Sequence, residues 1–228
     1  MKIYIVRHGE SFSNVQGKII SSTDLPLTEK GVKQAMALKT YLQKIIYPDV
    51  IHKAFSSPLM RARQTAAILC GPGMNVVESD DLLEMNLGRL EGLTWGDRTA
   101  KYPEINIESD LSNAVLPGGE KYNDVKRRCV HFIKSSLTRE HMRKNILIVS
   151  HGITIRIFIN TLLNKDDDCV NYINWPDNTA VSEIEWPSVN GAKIIRRLNE
   201  RNHLVDAELE AAGFQTWGAF ASVDYCSL

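Results

Sequence analysis

The sequence predicts an α/β fold with a mostly parallel central sheet, and three observations carry that reading. Short runs rich in β-branched or aromatic residues occur at residues 3–6, 50–56 and 146–150. A stretch of helical character follows each, and repeated strand-then-helix is the pattern of parallel strands joined by crossovers. The three runs also end alike, in Arg7-His8-Gly9, Ser56-Ser57-Pro58 and Ser150-His151-Gly152. A parallel sheet brings such ends to one edge, where open α/β sheets bind ligands.

In chain order, Ile3-Tyr4-Ile5-Val6 is the first strand. A helix at 28–46 opens with Thr28 as N-cap and Glu29 in the first turn, where an acid complements the helix dipole. Residues 50–56 form the second strand, and a helix at 61–70 is closed by Gly71-Pro72. Segment 94–119 breaks the rhythm. Pro103 and Pro117-Gly118-Gly119 punctuate it and no period holds, so an inserted loop or lid is expected. A helix at 123–144, a strand at 146–150 and a helix at 153–163 follow, then a strand at 180–186 pairing with 193–198 across Asn190-Gly191. The tail, 204–228, carries Phe214, Trp217, Phe220 and Tyr225 without a strand pattern. Packing on the body, covering a site, or a homodimer contact are the roles open to it.

The 228 residues fit one domain, 1–228, and 27 basic residues balance 27 acidic ones. No global field recruits nucleic acid or a membrane surface. The most basic stretch, 121–144, sets eight Lys or Arg against Asp124 and Glu140, with apolar residues at helical spacing; a solvated amphipathic helix accounts for it. Cys70, Cys129, Cys169 and Cys226 have no paired-ligand spacing, so neither a zinc site nor a disulfide framework is expected. Asp166-Asp167-Asp168 lacks the glycine of a calcium loop, and no metal is expected. Only four apolar residues separate Lys2 from Arg7, too few for a signal-peptide core, and no run has membrane-spanning length. The expected location is cytoplasmic.

Arg7-His8-Gly9 has a chance frequency of about one position in ten thousand, and the other strand ends give it company. Two histidines, His8 and His151, converge with two arginines, Arg7 and Arg61. Guanidinium forks and helix N-termini suit a tetrahedral dianion, so phosphate is the expected ligand. The glycine after each histidine lets the backbone turn sharply and approach a ligand. His8 is the better nucleophile, because Gly9 lets the neighbouring backbone fold against the ring and fix its tautomer. Departure of an alkoxide then needs a general acid, which afterwards acts as base toward water. Glu84, set among apolar neighbours, is one candidate; Glu91 is its near-equal competitor and Glu10 a weaker one.

These residues resemble the histidine phosphatase superfamily, in the branch of cofactor-dependent phosphoglycerate mutases and broad-specificity phosphatases. The likeness rests on Arg7-His8-Gly9-Glu10-Ser11 with Asn14, on Leu25-Pro26-Leu27-Thr28 with Gly31, and on Ser56-Ser57-Pro58 with Arg61. Glu84 with Gly88 and Glu91-Gly92, Pro117-Gly118-Gly119-Glu120, and Val149-Ser150-His151-Gly152 complete it. The resemblance implies a phosphoglycerate mutase-like, three-layer α/β/α sandwich that uses no metal and no cofactor. It implies His8 as phosphorylated nucleophile, Arg7, Arg61 and His151 as the phosphate pocket, Asn14 and Ser57 as accessory contacts, and Glu84 rather than Glu91 as proton donor.

Mutases of this family carry a longer basic insert after the acid segment. Between Gly92 and Pro117 only Arg98 and Lys101 are basic here. A phosphatase acting on a small phosphorylated metabolite is therefore expected, with a mutase and a weakly active phosphate-binding module as the alternatives. Leu87, Leu93, Trp95 and segment 94–119 are expected to shape specificity. His203 reads as a structural loop residue.

Overall fold

The first strand, β1 (Lys2–Arg7), has buried residues on both faces. Its alternation assigns the layers. Ile3 and Ile5 join one apolar cluster while Tyr4 and Val6 join another. The computed structural model describes residues 1–188 and 190–210, so the aromatic residues Phe214 to Tyr225, and Cys226, lie outside the described residues.

The remaining elements are α1 (Phe12–Val15), α2 (Glu29–Ile46), β2 (Lys53–Ser56), α3 (Met60–Cys70), β3 (Val76–Glu78), α4 (Trp95–Lys101), α5 (Tyr122–Ser136), β4 (Asn145–Ser150), α6 (Gly152–Leu163), β5 (Val181–Glu185), β6 (Ile194–Glu200) and α7 (Asn202–Asp206). Among the described residues six strands form one sheet in the order β3-β2-β4-β1-β5-β6. The first four of these are parallel, and β5 and β6 add antiparallel at one side.

Helices cover both faces. The Ile3 and Ile5 side packs against Val125, Cys129 and Phe132 of α5 and Ile153 and Ile157 of α6. The Tyr4 and Val6 side packs against Leu38 and Leu42 of α2 and Ala62 and Ala66 of α3. Phe132 stands edge-on to Phe55 of β2 at 5.1 Å and to Phe158 of α6 at 5.8 Å, tying two layers together. Truncating it to alanine would cost about 3–5 kcal/mol.

Several boundaries differ from the sequence expectation for local reasons. The helix expected over 123–144 ends at Ser136, because buried Leu137 anchors the chain and residues 139–141 turn back to start β4. The strand expected from residue 50 starts at Lys53, with Val50 exposed. Segment 94–119 contains α4, capped by Thr94 accepting from Asp97 N, and is pinned by buried Ile105, Ile107, Leu111 and Leu116. Helix α3 lacks a side-chain cap of its own; Asp24 supplies one from a distant loop, accepting from Met60 N at 2.6 Å. Among the described residues no helix is long and apolar enough to cross a membrane.

Candidate active site

Register decides which residues meet. With β2, β4 and β1 adjacent and parallel, Ser57 N donates to Val149 O and His8 N donates to Ser150 O, each at 3.0 Å. His8, Ser57 and His151 therefore lie side by side past three strand ends. The two imidazole rings are 5.1 Å apart.

His8 is buried, and its Nδ1 lies 2.7 Å from the Gly9 carbonyl oxygen. A carbonyl only accepts, so Nδ1 carries the proton and the lone pair falls on Nε2. Burial first, then Arg61 and Arg7, hold the His8 pKa well below its ordinary value, so the ring is neutral at neutral pH. Gly9 serves close approach rather than a sharp turn: a Cβ there would sit 2.6 Å from Gly31 O at the start of α2.

His151 is fully enclosed, its Nε2 2.8 Å from Ser57 Oγ. Leu59 N donates to that hydroxyl at 3.3 Å, which holds Ser57 Oγ in place against the ring. Nδ1 is buried without a partner among the described residues. Burial, Arg61, His8 and Arg7 lower the pKa of His151 as well. Ser57 is thus engaged with His151 and does not reach the cleft wall.

Arg61 is 2% exposed and donates through Nη1 to Thr23 O and through Nη2 to Ser21 O, both at 2.9 Å. The loop bearing those carbonyls is held by Glu91, which accepts from Ser21 Oγ, Ser22 Oγ and Thr23 N. Burial opposes ionisation of Glu91, but hydrogen bonds from Ser22, Thr23 and Ser21 prevail and bring its pKa to about 2. Glu91 has no proton to give at neutral pH. Arg7 donates through Nη1 to Pro176 O at 2.7 Å, and its Nε is buried without a partner among the described residues. Burial lowers its pKa to about 10 against the attraction of Glu84 and Asp177, so it stays charged.

Glu84 is not in the apolar setting its sequence neighbours suggested. Its carboxylate accepts from Met85 N at 2.9 Å, Thr154 N at 3.0 Å and Ile153 N at 3.2 Å, the last two in the first turn of α6. Arg128 fixes the segment by donating to Leu83 O at 2.7 Å and Asp81 O at 2.9 Å. Asn14 Oδ1 accepts from Ser11 N and Asn178 Nδ2, which leaves its Nδ2 as the free donor end.

Arg7, His8, Asn14, Arg61 and Glu84 share the wall of one cleft of about 680 Å³, counting its open mouth. Leu87 and Trp95 line it as expected; Leu93 does not, whereas Lys18, Glu108 and Trp175 do. Those three arrive from loops and one-turn segments that carry no motif. Gly152 packs against Trp175, where a Cβ would sit 2.6 Å from the indole Nε1. Glu10 accepts from Thr28 Oγ1 at the start of α2. His203 sits on α7, bonded to Thr179 Oγ1 at 2.9 Å, away from the cleft wall. Among the described residues no group of His, Cys, Asp and Glu could hold a metal ion.

A family model described as the histidine phosphatase superfamily, branch 1, matches residues 3–201. The 2,3-bisphosphoglycerate-dependent phosphoglycerate mutase 2 of Gloeobacter violaceus is 33% identical over 167 residues, 70% of this chain and 74% of the relative. The metal-independent phosphoserine phosphatase of Arabidopsis thaliana is 31% identical over 162 residues, 68% of this chain and 66% of the relative. The solved alpha-ribazole phosphatase from Shigella flexneri superposes with a TM-score of 0.74 at 27% identity, covering 88% of this chain and 97% of its own.

Proposed function

The chain belongs to the histidine phosphatase superfamily, and on that footing we propose that it hydrolyses small phosphomonoesters through a phosphohistidine on His8. The observation that carries this reading is the His8 Nδ1 contact with the Gly9 carbonyl, which commits the ring to the tautomer with its lone pair on Nε2. Arg7 and Arg61 line the same cleft wall as His8.

In the first step Nε2 of His8 bonds to phosphorus as the ester P–O bond breaks, and the departing oxygen takes a proton from Glu84. Arg7, Arg61 and the Asn14 amide, all on the cleft wall, hold the phosphoryl oxygens, with the enclosed His151 ring behind them as a further contact. Preorganised donors stabilise charge as it spreads over those oxygens, and loss of one costs about 10²–10³ in rate. In the second step water gives its proton to Glu84 and attacks phosphorus, the P–N bond breaks, and His8 returns to its neutral form. Ser57 acts through His151 by holding its ring in place at Nε2.

The cleft wall supports hydrolysis over mutase chemistry. Arg98 is committed to Glu108 and to Ile105 O, and neither Arg98 nor Lys101 lines the cleft. Lys18 is the one further cation on the wall among the described residues. A mutase reading is favoured by that lysine and by the mutase relative. Phosphate release from a panel of phosphorylated metabolites, with and without bisphosphoglycerate, separates the two. Net phosphate release without bisphosphoglycerate is expected; isomerisation without release would overturn the proposal.

A further inference from the structure

The cleft that holds His8 is also lined by a carboxylate whose two oxygens are treated differently. Glu108 Oε1 pairs with Arg98 Nη2, and Arg98 Nη1 donates to Ile105 O at 2.7 Å. Glu108 Oε2 is buried and accepts from nothing among the described residues. An ionised oxygen left so is costly unless a donor reaches it.

Its position is built. Arg156 donates to Glu108 O and Val170 O at 3.2 Å and to Ile173 O at 2.8 Å, fixing the Glu108 backbone to the loop that carries Trp175. The Arg156 guanidinium lies 5.7 Å from the Trp175 ring, and that of Arg98 lies 5.6 Å from the Trp95 ring. The two indoles meet edge to face at 6.2 Å. Glu108, Trp95 and Trp175 thus form a rigid wall on the cleft that holds His8.

Resting on the phosphatase reading, we propose that Glu108 selects the leaving group: its Oε2 accepts a hydrogen bond from a hydroxyl or ammonium group on the substrate. The alcohol released on hydrolysis then carries a donor beyond its ester oxygen. A plain alkyl ester leaves Oε2 unpaired and is disfavoured.

The test compares ethyl phosphate with 2-hydroxyethyl phosphate and 2-aminoethyl phosphate, reading phosphate release, with 4-nitrophenyl phosphate as the general substrate. In the unsubstituted enzyme at least one donor-bearing ester should exceed ethyl phosphate about 10- to 100-fold in kcat/KM. Which of the two does so tells a hydroxyl from an ammonium. In Glu108→Gln the amide oxygen must face Arg98, because a guanidinium only donates, and the amide NH₂ then points where an acceptor stood. The preference should fall to within about threefold of unity. The ratio is read within each protein, so a general loss of activity in the variant cancels. Equal kcat/KM for all three esters in the unsubstituted enzyme, or a preference that survives Glu108→Gln, would overturn the inference while leaving phosphatase activity intact. Absence of turnover on every ester, 4-nitrophenyl phosphate included, would instead sink the phosphatase reading and this inference with it.

Discussion

Replacing Glu91 with glutamine should weaken the phosphate pocket without touching it. The carboxylate takes Thr23 N and Thr23 Oγ1 on one oxygen, both at 2.7 Å, and Ser21 Oγ, Ser22 Oγ and Ser22 N on the other, at 2.8, 2.6 and 3.3 Å. A carboxamide accepts on one oxygen only. Hydroxyls reorient, but one backbone N–H, of Ser22 or Thr23, must then face an NH₂ group. Hydrogen bonds to a charged acceptor are worth about 1.5–3 kcal/mol when buried, and solvent around this exposed loop reduces the loss to about 1 kcal/mol. Ser21 O and Thr23 O are the carbonyls that hold Arg61. Loosening them should lower kcat/KM on 4-nitrophenyl phosphate about fivefold, less than the 10²–10³ expected for Arg61→Ala. Stability should respond with a definite sign. The folded pKa of Glu91, about 2, lies below its ordinary 4.5, so its contribution is present above pH 4.5 and lost as pH falls toward 2. Glu91→Gln should flatten the stability profile across that window. A kcat/KM within twofold of the unsubstituted enzyme would refute the coupling of Glu91 to Arg61.

The histidines set a second pH dependence. Burial lowers the pKa values of His8 and His151, and brings that of His203 to about 4, all below the unfolded value near 6.5. Their unfolded forms take up protons first, so stability is full above pH 6.5 and declines below it, by up to about 1.4 kcal/mol per pH unit for each histidine. Thermal unfolding between pH 7.5 and 5 checks this, and a flat Tm profile would contradict it. Gly9→Ala should destabilise the fold by about 1–3 kcal/mol, since the added Cβ lies 2.6 Å from backbone Gly31 O and no flexible side chain can yield. Denaturant unfolding measures it, and an unchanged midpoint would show that the strand end can move.

What was legible in the sequence was local. Strands β1 and β4 read as β-branched runs, Thr28 as a cap, and the histidines and arginines as strand-end residues, because each signal occupies a few consecutive positions. Strand β3 was missed because Val76–Glu78 is too short to show a period, and helix α5 was overextended because the basic run past Leu137 keeps an amphipathic pattern after the chain has turned. The choice between Glu84 and Glu91 needed the resemblance, since both sit in one segment. In the structure Glu84 stands on the cleft wall, whereas Glu91 turns away from it to accept from the loop at residues 21–23. Glu108 and Trp175 are held at the cleft by Arg98 and Arg156, and Lys18 by its bridge to Thr94, tertiary contacts that no local pattern encodes.

The central claim, that His8 carries the phosphoryl group, is met most directly by trapping it. With 4-nitrophenyl phosphate the leaving group needs little protonation, so Glu84→Gln should slow the water step more than the first step and accumulate phosphoenzyme. Alkaline quenching, which spares phosphohistidine, followed by peptide mass spectrometry should place one phosphate on His8 in Glu84→Gln, and none should appear when His8→Ala is added. Full turnover by His8→Ala, or a phosphate on any other side chain, would contradict the account.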